Sequence, residues 1–231
     1  MDLPRLERYE VVGRIAQGGM AEILLARRHG PSGFERLVAL KRILPSIAED
    51  GEFIEMFIDE AKIAVQLNHA NIGSIFDLGK EADSYFIAME FVDGCTLGTW
   101  LRGGPTLDQI LEVFIAAGRG LAAAHQVGLV HRDFKPENVI IDADGQARVL
   151  DFGLSQGPGK EPDLAASGEH TSTESDIGGL AVGISGTPSY MAPERFVEPG
   201  GDVRSDIFSF AVTVWEALAG CRPFAGRTIY V

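Results

Sequence analysis

A chain of 231 residues with 45% hydrophobic and 23% charged residues has the make-up of a globular protein, not of a disordered or collagen-like one. Its formal net charge of -13, from 20 Lys and Arg against 33 Asp and Glu, is relieved by no basic patch, which argues against nucleic acid or an anionic membrane surface as partner. Cys95 and Cys221 are the only cysteines and lie far apart in sequence, which excludes a disulfide framework and suits a reducing cytosol.

Residues 1–10 carry Asp2, Arg5, Glu7 and Arg8 and no apolar run, so no signal peptide is expected there. The most apolar stretch, 110–124, is broken by Glu112 and Arg119, and no segment has the apolar length of a membrane span. A cytoplasmic location follows as an expectation. Strands are predicted over 9–15, 22–27 and 37–44, each rich in Val, Ile and Leu and bounded by Gly or Pro. A helix is predicted from 51 to 67 with Asp50 as its cap, then strands at 75–78 and 85–91 that complete a small, mostly antiparallel sheet.

From Gly94 the pattern turns helical. Thr106-Leu-Asp-Gln109 reads as a capping box opening a long helix through Val127. Short strands flank the polar turns 131–138 and 142–146, and an apolar helix is predicted over 205–220. Between them, residues 154–192 hold one Lys and five Asp or Glu, a local charge of -4, and read as a long loop with a functional role. No internal repeat is visible.

Ile15-Ala-Gln-Gly-Gly-Met-Ala-Glu-Ile23 joins the first two strands, and adjacent Gly18 and Gly19 let backbone N–H groups approach a phosphate. A plain hairpin turn explains the same glycines, so they carry little weight alone. Lys41 shares a strand face with Ala39 and Ile43. In the following helix, Phe53, Met56, Phe57, Glu60, Ile63, Ala64 and Leu67 form one predicted stripe with Glu60 at its centre, while Glu55 and Asp59 lie off it. A carboxylate in an apolar stripe calls for a cation, and Lys41 is the nearest candidate by topology.

His131-Arg-Asp-Phe-Lys-Pro-Glu-Asn138 is more specific. Asp133 can accept a hydroxyl proton, Lys135 can neutralise charge on a transferring group, and Asn138 can offer a carbonyl oxygen to a hard metal ion. Val149-Leu-Asp-Phe-Gly153 ends an apolar strand in a second oxygen donor, Asp151. Two such donors are too few for a protein cage but typical of Mg²⁺ that borrows phosphate oxygens.

These stretches together resemble the eukaryotic-type protein kinases, and among them the bacterial Ser/Thr kinases. The parts occur in that family's order from Tyr9 to about Phe224: the Gly-rich loop, Val38-Ala-Leu-Lys41, Glu60, His131-Arg-Asp133, Asp151-Phe-Gly153 and Ala192-Pro-Glu194. The resemblance implies an α+β fold in two lobes, a sheet plus one helix over 1–92 and a mainly helical lobe over 93–231 that lacks the family's last helices. It implies transfer of the γ-phosphoryl of ATP to protein Ser or Thr, with Mg²⁺ or, in its place, Mn²⁺. Lys41 would contact the α- and β-phosphates and pair with Glu60, Asp133 would be the base, Lys135 would stand near the γ-phosphate, and Asn138 and Asp151 would hold metal. Ile15, Gly18 and Gly19 of the loop, with Ile23, Ala39 and Ile140, would enclose the nucleotide. Met89 falls at the gatekeeper position, and Glu90 to Val92 at the adenine-binding hinge.

Lys135 and the segment 186–194, in which Thr187 would bridge base and lysine, resemble the Ser/Thr-specific version. Arg132 beside Asp133 implies activation by phosphorylation of the loop, with Thr171, Ser172 and Thr173 as acceptors. Protein substrates, phosphothreonine-binding partners at that loop and a second kinase copy are the implied partners. The chain departs from the family at Ala16 and Ala21, which replace loop glycines. It also ends before the arginine that would pair with Glu194, so that a buried, unpaired Glu194 would be costly. The alternative is a weakly active or inactive nucleotide-binding pseudokinase scaffold; a small-molecule phosphotransferase is disfavoured by the 186–194 segment.

Overall fold

A computed structural model describes residues 5–6, 8–45, 47–81, 84–152, 188–196 and 201–224. Thr171, Ser172, Thr173 and Thr187 lie outside the described residues, as does Gly153. The architecture is α+β in two lobes. The first is a six-stranded antiparallel sheet ordered β1-β2-β3-β4-β6-β5, from β1 (Arg5–Leu6), β2 (Tyr9–Gln17), β3 (Ala21–His29), β4 (Glu35–Ile43), β5 (Ile75–Glu81) and β6 (Ser84–Glu90). Alternation along β4 divides the core: Val38 and Leu40 join Tyr9, Leu24 and Phe86 on one face, while Ala39 and Ile43 join Ile87 and Met89 on the other.

That second face is covered by α1 (Gly51–Ala64), whose first turn is capped by the Asp50 carboxylate accepting from the Phe53 N–H at 3.2 Å. Such a cap is worth about 1 kcal/mol. The buried stripe differs from the expected one. Phe53, Ile54, Phe57, Glu60, Ala61 and Ala64 face the sheet, whereas Met56 is half-buried and Ile63 is 39% exposed. The stripe is rotated because the small Ala61 lets the helix sit close to the sheet, while Ile63 falls on the far flank.

The second lobe is built on α3 (Leu107–Gln126), which carries the capping box: Thr106 Oγ1 accepts from the Gln109 N–H, and Gln109 Oε1 accepts from the Thr106 N–H. Its buried face, including Val113, Phe114, Ala117 and Leu121, meets α4 (Val203–Ala219) through an edge-on contact of Phe114 with Phe210 at 5.7 Å. Before α3 come β7 (Gly94–Thr96) and α2 (Leu97–Arg102); after it β8 (Val139–Asp142) and β9 (Ala147–Val149) complete a three-stranded sheet β7-β8-β9.

The lobes are bolted together by the segment after α1. Val149 N–H donates to Asn71 O, Gly73 N–H donates to Val149 O, and Ile72 bridges Val149 in parallel. Gly120 of α3 makes room for it, since a Cβ there would lie 2.6 Å from Asn71 O. On the outer side of α4, Phe210, Val214, Trp215 and Leu218 line an open groove of about 500 Å³. No helix among the described residues is long and apolar enough to cross a membrane.

Candidate active site

The polar turn 131–138 is held from below by one buried carboxylate. Asp206, near the start of α4, accepts from the His131 N–H, the Arg132 N–H and His125 Nε2, each at 2.7 Å. Three charge-assisted bonds offset the cost of burying that charge. They also hold Arg132 at φ 65°, a left-handed conformation that a non-glycine residue adopts only under constraint.

His131 is fully buried. Its Nδ1 accepts from the Asp133 N–H at 3.3 Å, so Nε2 carries the proton and donates to Leu150 O at 2.9 Å. Burial lowers its pKa further than neighbouring Asp206, Asp133 and Asp151 can raise it, which keeps the ring neutral. His131 thereby ties the turn to the end of β9, and the Leu150 N–H donating to Asn138 O at 2.8 Å makes a second tie.

Within the turn, Lys135 Nζ donates to Asp133 Oδ2 at 2.6 Å. Asn138 Nδ2 donates to Asp133 O at 2.8 Å and lies 3.4 Å from Oδ2, which commits its amide nitrogen and leaves the carbonyl oxygen as an acceptor. Across the two ties, Asp151 accepts from Lys41 Nζ at 2.9 Å and sits at φ 62°. Burial would raise the Asp151 pKa, but Lys41, aided by Lys135, holds the carboxyl below its ordinary value. An ionised carboxylate and an amide oxygen are both hard-oxygen donors of the kind that divalent cations take. Among the described residues no group of three or more His, Cys, Asp or Glu is placed to hold a metal ion.

The expected Lys41–Glu60 pair is replaced. Lys41 is buried at the centre of the cleft and bonds Asp151, while Glu60 Oε1 accepts from Arg132 Nη1 at 2.5 Å. The physical reason is the placement of α1: Glu60 faces a guanidinium from the turn below, and Lys41 faces a carboxylate closer than Glu60. The exchange leaves Glu60 Oε2 and Arg132 Nε buried without hydrogen-bond partners. Burial pushes the Glu60 pKa up to about 7, against the opposing pull of Arg132 and Lys41.

The remaining predicted residues lie on β2 to β4, β6, β8 and their connections. Gly18 and Gly19 form the turn between β2 and β3, closed by the Gly18 N–H on Ala21 O at 2.9 Å; Ile15 on β2 is half exposed. Ile23 pairs with Lys41 and Ala39 with Met89 across the sheet, which places the four on neighbouring strands at the cleft. Glu90 ends β6, Val92 follows in the connection to β7, and Ile140 is the half-buried member of β8 between buried Val139 and Ile141. Glu194 is exposed, so the cost expected for a buried, unpaired carboxylate does not arise.

Asp206 was not among the predicted site residues, although a carboxylate opening an otherwise apolar helix was a signal for it. The Glu60–Arg132 pair had no linear signal.

Comparison with known proteins agrees with this geometry. The family described as protein kinase domain matches residues 9–230. The tyrosine-protein kinase MasK of Myxococcus xanthus is 38% identical over 231 residues, covering 94% of this chain and 33% of MasK. The serine/threonine-protein kinase PknL of Mycobacterium tuberculosis is 37% identical over 221 residues, covering 95% of this chain and 51% of PknL. The crystal structure of the Mycobacterium tuberculosis PknI kinase domain superposes with a TM-score of 0.70 at 27% identity, over 96% of this chain and 78% of that one. The chain thus spans between a third and about half of the length of these two curated relatives. With the polar turn tied to the strand end whose carboxylate meets a buried strand lysine, and with the family matched over residues 9–230, the chain belongs to the protein kinase domain family.

Proposed function

We propose that this chain is the catalytic domain of a protein serine/threonine kinase that transfers the γ-phosphoryl of ATP to Ser or Thr hydroxyls. One observation carries the proposal: Asp133 is gripped by Lys135 and Asn138 in a turn tied by two hydrogen bonds, His131 Nε2 to Leu150 O and the Leu150 N–H to Asn138 O, to the strand end that sets Asp151 against Lys41. Asp133 would orient the substrate hydroxyl and take its proton as the oxygen attacks the γ-phosphorus and the bond to ADP breaks. Lys135, now paired with Asp133, would turn toward the charge on the transferring group, and Lys41 would hold the inner phosphates. A bound Mg²⁺, or Mn²⁺ in its place, would be held by Asn138 and Asp151 and would neutralise phosphate charge. Ser/Thr preference rests on Lys135 and the 186–194 segment.

Regulation by phosphorylation of the segment after Asp151 follows from Arg132. A phosphate brought to that guanidinium would compete with Glu60, freeing it toward Lys41. Such a phosphate would also present a docking point to phosphothreonine-binding partners, and a second copy of the kinase would be the natural donor. The Glu60–Arg132 pair equally favours the alternative, a scaffold that binds nucleotide without turnover.

Radiolabelled γ-phosphate transfer to a basic protein, followed by phosphoamino-acid analysis, separates the two. Label on Ser or Thr that disappears in Asp133→Asn supports the kinase. Nucleotide binding with no label in the wild type supports the scaffold, and label on Tyr would overturn the proposed specificity.

A further inference from the structure

Glu90 ends β6 at the hinge, and its side chain does not face solvent freely. Its Oε2 accepts from the Ser74 N–H at 3.2 Å, while the Glu90 N–H donates to Ser74 O at 2.8 Å, so that backbone and carboxylate are both tied to the segment after α1. On the other side stands Arg148, the central residue of β9 in the second lobe. Its neighbours Ala147 and Val149 are fully buried, and strand alternation turns its own side chain the opposite way, out toward the hinge.

Three parts of the molecule meet on that guanidinium. Nη1 donates to Ala70 O at 2.8 Å, Nε lies 3.6 Å from Glu90 Oε1, and Nη2 lies 3.9 Å from Asp142 Oδ2 on β8. Arg148 Nε is shut off from solvent, and the Arg148 and Glu90 side chains are 26% and 20% exposed. Partly dehydrated charges at this separation interact more strongly than a surface pair and are screened less by salt. The contact joins β6 of the first lobe to β9 of the second.

We propose that Arg148 is a positioning residue for nucleotide binding: through Glu90 it fixes the hinge backbone against which a purine would be hydrogen-bonded. This rests on the nucleotide-binding reading of the cleft. Arginine suits the role because its planar fork hydrogen-bonds the Ala70 carbonyl while the same delocalised charge lies within 4 Å of two carboxylates, which a lysine ammonium offers at one point only.

Calorimetric titration with Mg-ADP tests the proposal on wild type, Arg148→Gln, Arg148→Lys, Glu90→Gln and the Arg148→Gln/Glu90→Gln double variant. Arg148→Gln is expected to bind about three- to tenfold more weakly, with Arg148→Lys in between, and transfer at saturating ATP is expected to stay within about twofold of wild type. The double variant is expected to be no weaker than the worse single one, the mark of residues acting through each other. An Arg148→Gln variant that melts earlier but binds Mg-ADP as well as wild type overturns the proposal, as do fully additive effects. Should Arg148→Gln fail to fold, Glu90→Gln carries the test, because it keeps the Arg148 bond to Ala70; unchanged affinity there overturns the proposal too. A wild type that fails to bind Mg-ADP would instead bring down the nucleotide reading on which the proposal stands.

Discussion

Glu60 and Arg132 form a hydrogen-bonded ion pair of 2.5 Å that joins the helix of the first lobe to the polar turn of the second, and each keeps one buried atom without a hydrogen-bond partner. The pair occupies both residues that phosphate recognition and the lysine would otherwise claim. It commits Glu60 Oε1 to Arg132, while Lys41 bonds Asp151.

Its first consequence is a pH dependence of stability. The Glu60 carboxyl is raised from about 4.5 to about 7, chiefly by burial. The folded protein thus holds this proton more tightly than the unfolded chain does. Stability tied to it is full below about pH 4.5 and is lost as pH rises through about 7. Thermal melts at pH 5 and pH 8 should show wild type losing ground to Glu60→Gln by on the order of 1–3 kcal/mol. A difference that stays flat between those pH values would show that Glu60 is not held in this way.

Among the described residues Lys41 bonds one partner, Asp151, and its removal strands that carboxylate. Lys41→Met should cost about 1–3 kcal/mol in denaturant unfolding, less than for a fully buried pair because Asp151 is 26% exposed. Phosphoryl transfer should fall by about a hundredfold or more. If transfer survives with little change, Lys41 does not serve the phosphates.

Asp206 supports the polar turn from a distance. Asp206→Asn removes a charge from three donors at once and should destabilise the fold by about 2–4 kcal/mol. Since it acts on the turn and not on the hinge, kcat should fall while KM for ATP moves little. Steady-state kinetics with ATP as the varied substrate measures the split, and a rise in KM alone would contradict this role.

The outer side of α4 exposes Ile207, Trp215 and Leu218 beside the groove lined by Phe210 and Val214. A contiguous apolar patch of this kind binds hydrophobic dyes and promotes association. Trp215→Lys should reduce dye fluorescence and raise the solubility of the 231-residue chain, with Mg-ADP affinity unchanged. An unaltered dye signal would mean that the patch is not open in solution.

What could be read directly from the residues was local and periodic. Asp50, Thr106 and Gln109 announced two helix starts because caps act within one turn. Alternation along β4 put Lys41 on the face of Ala39 and Ile43, and the order of short polar motifs pointed to the family. The tertiary structure decided what spacing along a chain cannot express: which carboxylate meets which cation. Lys41 stands near anions from two elements, and only the seating of α1 and the end of β9 assigns Asp151 to it and Glu60 to Arg132. The phase of the α1 stripe, with Ala61 in and Ile63 out, and the gathering of three donors on Asp206 were settled the same way, because each depends on how closely separately formed elements can approach.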